Sequence, residues 1–204
     1  MTASDVYVVT RKSGLFSFLG HEHAIVPMEW SGSLCVASPQ KPGARGFVLI
    51  RTPSLVIDSD SARALAGLGD GPGEDDVEEI QRKLLDPSNL AAEAHPEIRL
   101  ESTVEGMGEG EGQLRMRTRL TVKGQSREFE HPAEIGGVEG GEAPGGALRI
   151  RGTLEIRQTA FGIEPASVAG VVNVEDEVEL HFDLVTTPTG SACESSPPDL
   201  KSSP

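Results

Sequence analysis

Positive charge, aromatic side chains, cysteine and long apolar runs are all scarce in this chain, and each scarcity removes a class of function. Only 18 of the 204 residues are Lys or Arg, against 32 Asp or Glu, which gives a formal net charge of −14. A surplus of that sign repels phosphate backbones and anionic headgroups, so nucleic-acid binding and charge-driven membrane binding are excluded. No apolar run reaches the ~18 residues that a bilayer-spanning helix needs. Met1 to Asp5 carries no basic n-region and no apolar core, so no signal peptide is expected and a cytoplasmic location is. Cysteine usage points the same way. Cys35 falls in a predicted strand and Cys193 in a Ser/Pro-rich tail, so no disulfide between them is expected, and a reducing compartment fits. Catalytic signatures are missing as well: there is no Gly-x-Ser-x-Gly elbow, no phosphate-binding Gly-Lys-Ser/Thr loop and no His-Glu-x-x-His helix. A non-enzymatic role is the expectation.

What the chain does have is alternation. Leu114, Met116, Leu120 and Val122 sit between Arg115, Arg117, Arg119 and Thr121, and Leu148, Ile150, Leu154 and Ile156 sit between Arg149, Arg151, Glu155 and Arg157. Val178, Leu180, Phe182 and Leu184 alternate in the same way with Glu177, Glu179, His181 and Asp183. A period of two places successive side chains on opposite faces of a strand, so each run has one oily and one charged face. That is the pattern of an antiparallel sheet wetted on one side.

Further strands are predicted over 5–12, 21–37, 47–58, 97–105 and 127–135, and most connections are short, Gly-containing turns of hairpin type. Pro27 and Pro53 interrupt the second and third of these. Between about 59 and 88 the period changes to that of helices, with Val77, Ile80 and Leu84 behind acidic residues suited to a helix N-terminus. The expected fold class is therefore all-β with a small helical insertion. Eight strands are counted, the number that closes an antiparallel, lipocalin-like β-barrel able to hold one small ligand. One domain over 1–187 and a disordered Ser/Pro-rich tail over 188–204 complete the organisation.

Several of these segments resemble a known family. Gly20-His21-Glu22-His23, followed by Trp30-Ser31-Gly32-Ser33-Leu34, resembles the opening of the YceI-like domain, in particular a subgroup with a Gly-His-x-His start. His95-Pro96-Glu97-Ile98-Arg99-Leu100-Glu101-Ser102 is similar to its Pro-x-Ile-x-Phe-x-Ser strand, with Leu100 in place of the aromatic. Leu120-Thr121-Val122-Lys123-Gly124 matches its Leu-x-Ile-x-Gly hairpin, and Phe161-Gly162-Ile163 with Asp176 to Leu180 its closing loop and strand. The resemblance implies an eight-stranded barrel that carries a polyisoprenoid or similar long amphiphile. Many members are periplasmic, which the start of this chain does not suggest.

The site expectations follow. Leu100, Leu114, Met116, Leu120, Leu148, Ile150, Leu154, Leu180 and Phe182 are the inward residues that would contact an isoprenoid lipid or quinone in the lumen. The sequence leaves open that they simply pack against one another. Phe16, Phe18, Leu19 and Phe161 are candidates for a lid over the lumen, or for a plug of its end. His21 and His23, two apart on a predicted strand, offer an alternative metal-binding reading, with His131 and His181 as candidate third ligands. A third reading is a packed barrel whose insertion docks a partner. Glu74, Asp75, Asp76, Glu78 and Glu79 read as a solvated helix face, and the arginines of the alternating runs as members of cross-strand ion pairs. No cofactor is required, the expected partner is an apolar small molecule, and a homodimer is left open.

Overall fold

A computed structural model describes residues 4–13, 21–35, 43–137, 146–168 and 172–186. Its strands are β1 (Asp5–Ser13), β2 (His23–Pro27), β3 (Trp30–Cys35), β4 (Arg45–Arg51) and β5 (Leu55–Ile57). Helices α1 (Asp60–Leu65) and α2 (Glu74–Leu85) come next. The chain then runs through β6 (Glu97–Met107), β7 (Gln113–Val122), β8 (Gln125–Gly137), β9 (Leu148–Arg157), the two-residue β10 (Ser167–Val168) and β11 (Val172–Val185). All belong to one antiparallel sheet of order β3-β4-β6-β7-β8-β9-β11-β1-β2-β5, with β10 beside β11.

Among the described residues the eight expected strands become eleven, because two are bent in half and one short strand is added. Pro27 ends β2, and Pro53 lies in a 3-10 turn over Thr52–Ser54. Proline donates no ladder hydrogen bond, so the chain turns where it occurs. As a result β2 and β3 lie near opposite ends of the sheet, and so do β4 and β5. The two bends are stitched together at one corner. Met28 N–H donates to Ser54 O and Arg51 N–H to Glu29 O, each at 3.0 Å, and Glu29 N–H donates to Ser54 Oγ at 3.0 Å. The sheet thereby curls into a half-barrel with the oily face inside.

The helical insertion packs at the β5 edge. Ser59 caps α1 by accepting from Ala62 N–H, and three acidic residues occupy the first turn of α2. Within α2, Leu84 is buried and Val77 and Ile80 pack on the core, while the acidic residues of its first two turns stay exposed. Gln81 covers the open strand: its Oε1 accepts from Ile57 N–H at 3.0 Å and its Nε2 donates to Leu55 O at 2.9 Å. An edge strand's free backbone groups otherwise invite pairing with other chains. Gln81→Ala should cost about 1–2 kcal/mol for the two lost hydrogen bonds. Chemical denaturation checks this.

Two clusters make up the interior. One, including Leu120, Ile156, Phe161, Ile163 and Leu90, takes in Leu84 of α2 and extends to Leu100, Leu154 and Leu180. The other, around Val104, Leu114, Met116, Ile135 and Ile150, packs Phe182 and Leu148 against it. On the outside, Arg117 pairs with Glu105 and Glu130, Arg119 with Glu128, Arg149 with Asp183 and Arg151 with Glu134. Exposed pairs of this kind add little stability. They keep the outer face polar and hold adjacent strands in register.

Candidate functional site

The concave face of the sheet encloses a cavity of about 780 Å³. Its wall is built from the inward phase of β6, β7, β9 and β11 together with β3 and β4. Leu100, Leu114, Met116, Leu148, Ile150, Leu154, Leu180 and Phe182 all line it. Leu120 does not, although it belongs to the same buried cluster as Leu100, Leu154 and Leu180. Trp30, the only tryptophan of the chain, also lines the cavity.

Phe161 is 1 % exposed and stacks on Phe129, with ring centroids 6.4 Å apart. It is buried within the core cluster instead of standing exposed over the cavity. Phe16, Phe18 and Leu19 lie outside the described residues, as do the tail over 188–204 and Cys193.

A polar strip crosses the apolar wall. Ser102 on β6 is paired directly with Thr118 on β7, and their hydroxyl oxygens are 2.8 Å apart. Thr118 Oγ1 is 2.8 Å from Nε2 of His131 on β8, which sits diagonally across from it, and His131 Nδ1 lies 3.0 Å from Pro132 O. All three side chains border the cavity. Burial pushes the His131 pKa down, and the Pro132 carbonyl only partly offsets this, so the ring is neutral at neutral pH. The ring also meets Phe182 edge-on, with centroids 5.9 Å apart.

β8 and β9 pair only from Glu134↔Arg151 to Gly137↔Leu148. Where they diverge, a second, outward cleft of about 830 Å³ forms, and His131, Leu154 and Phe182 border it as well as the inner cavity. Phe182 fills the space over Gly152, where a Cβ would come within 2.5 Å of Cζ of the ring.

The two N-terminal histidines are placed apart in role. His21 precedes β2 and is exposed, whereas His23 Nδ1 donates to Asp58 Oδ2 at 2.5 Å. The Asp58 side chain is 1 % exposed and also accepts from Arg63 Nη1 at 2.8 Å and from Ala24 N–H at 3.0 Å. Arg63 donates further to the carbonyls of Glu22, Gly69 and Asp70. Burial pushes the Asp58 carboxyl up, but the His23, Ala24 and Arg63 donors outweigh it and hold the pKa below the ordinary range. This knot fastens α1 to β2. His181 lies on the outer face, stacked on Tyr7 and bonded to Thr153 and Glu179. Among the described residues no group of three His, Cys, Asp or Glu side chains is placed to hold a metal ion.

One expectation is corrected. Cys35 is disulfide-bonded. It is the last residue of the edge strand β3, as the expected strand placement has it. With Cys35 bonded, cysteine usage does not point to a reducing compartment.

A curled antiparallel sheet around an apolar cavity belongs to the lipocalin-like barrels. The profile of the YceI-like domain matches residues 26–186, and the chain is a member of that family. Among solved structures it is similar to Burkholderia cenocepacia BcnA, at 18 % identity and a TM-score of 0.62, covering 90 % of this chain and 96 % of that one. It is also similar to the Campylobacter jejuni YceI protein, at 16 % identity and a TM-score of 0.55, covering 81 % and 84 %. No curated protein sequence gives a significant match. No helix among the described residues is long and apolar enough to cross a membrane.

The alternating pattern marks most of the wall but not the polar strip. Thr118 occupies the inward phase between Met116 and Leu120, and Ser102 that between Leu100 and Val104. Hydroxyls in an otherwise apolar phase were the available signal.

Proposed function

We propose that this protein holds one long, neutral, tail-shaped molecule, an isoprenoid lipid or prenylated quinone, and carries or sequesters it without chemical change. The apolar cavity on the concave face is the observation that supports this reading. Membership of a polyisoprenoid-binding family agrees with it. About 780 Å³ lies within the ~300–1,000 Å³ usual for small-molecule sites. The energetics suffice. Each buried CH₂ contributes roughly 0.8 kcal/mol, so a ~20-carbon tail gives about 16 kcal/mol gross, against an association cost of about 4–15 kcal/mol.

No ionic contact and no cofactor are needed. Trp30 is a built-in reporter of occupancy, since it lines the cavity and has no other tryptophan to mask it. Titration of ligand-stripped protein with geranylgeraniol should give a saturable one-to-one change in Trp30 fluorescence, with a micromolar or tighter Kd. A flat titration would refute the carrier reading.

A further inference from the structure

We propose that the Ser102, Thr118 and His131 side chains form the headgroup subsite of the cavity, and that it favours a ligand hydroxyl, an alcohol or phenol, over a group that only accepts hydrogen bonds. The inference rests on the carrier reading and adds the polar end of the ligand to it. Proton positions along the strip fix the preference. Pro132 O accepts only, so the close Nδ1 of His131 carries the ring proton. In the neutral imidazole Nε2 is then the acceptor, and Thr118 must donate its single hydroxyl proton to it. With that proton committed, the 2.8 Å contact to Ser102 needs the proton of Ser102. The chain of donors therefore runs from Ser102 through Thr118 to His131 and stops at the ring.

Ser102 Oγ is left with lone pairs and no proton to give. Thr118 is 2 % exposed and His131 9 %, whereas Ser102 is only partly buried and borders the cavity. Ser102 is thus the end that a ligand meets, and it presents an acceptor. A hydroxyl satisfies it; an ether or a quinone carbonyl sets lone pair against lone pair.

Charge supports the same ligand class. None of the described residues lining the cavity is Lys, Arg, Asp or Glu, so a phosphate or carboxylate headgroup placed beside Ser102 would be buried without a counter-ion. The subsite suits a neutral donor.

Comparing geranylgeraniol with its methyl ether, two probes of nearly equal tail, tests this by Trp30 fluorescence. In the unmodified protein the alcohol should bind roughly five- to ten-fold tighter, the worth of one hydrogen bond at a buried acceptor. Thr118→Val releases the Ser102 proton, so the hydroxyl can donate or accept. The ratio should then fall to about one, with the ether binding more tightly than it does to the unmodified protein. Equal affinities in the unmodified protein, or an unchanged ratio in Thr118→Val, would overturn the subsite while leaving the carrier reading intact. Failure of both probes to bind the unmodified protein would overturn the two together.

Discussion

Replacing Asp58 by alanine should lower the midpoint of thermal unfolding by about 10 °C. Asp58 is the single acceptor on which His23, Arg63 and the Ala24 amide converge, and its carboxylate is almost wholly removed from water. Truncating one partner of a buried pair leaves the other charge uncompensated and costs about 3–5 kcal/mol. For a chain of this size each kcal/mol lowers the midpoint by about 2–4 °C. Backbone geometry adds to the effect, because Asp58 sits at φ 52°, a region that aspartate tolerates better than alanine.

The loss should depend on pH. The Asp58 carboxyl titrates lower in the folded protein than in the unfolded chain, so its stabilisation is complete above about pH 4 and is lost as pH falls through the folded value. The difference between the unmodified protein and Asp58→Ala should therefore shrink below pH 4. His131 acts earlier. Its ring resists protonation when folded, so the unfolded chain takes up the extra proton and stability declines as pH falls below about 6.5. This stage should be common to the two proteins, and thermal melts across pH 3–8 separate the two stages.

Leu114→Asp should abolish ligand uptake and leave little folded protein at neutral pH, while Arg115→Asp one residue away should do neither. Leu114 is 1 % exposed and forms part of the cavity wall. A carboxylate there has no partner, and burying it uncompensated costs several kcal/mol, a large fraction of the total stability of a domain. Arg115 points outward and is exposed, where substitutions typically change stability by no more than about 0.5 kcal/mol. Circular dichroism and the Trp30 titration on the two variants give the comparison. Equal tolerance would mean that the inside and outside of the wall had been exchanged.

The alternating runs make most of the wall legible in the sequence. A period-two pattern states which residues share a face, and Leu114, Met116, Leu148, Ile150, Leu154, Leu180 and Phe182 share the cavity. The pattern does not state where a strand bends. Pro27 and Pro53 marked the bends, but their consequence is non-local: each bend sends the two halves of a strand toward opposite ends of the sheet. Whether an inward residue reaches the cavity is hidden for the same reason: Leu120 reads like Leu114, yet of the two only Leu114 lines it. The Asp58 knot joins residues 23, 24, 58 and 63 across a change of secondary structure, and no periodicity reports such a meeting. Gln81, an ordinary polar position on a helix, becomes the cover of a strand edge only once the edge is located.

The central claim is that the cavity holds a long neutral molecule, and native mass spectrometry addresses it most directly. Ligand-stripped protein incubated with geranylgeraniol should give a single species heavier than the bare chain by one geranylgeraniol. That increment should persist in Arg115→Asp. A spectrum showing only the bare chain under these conditions would contradict the account.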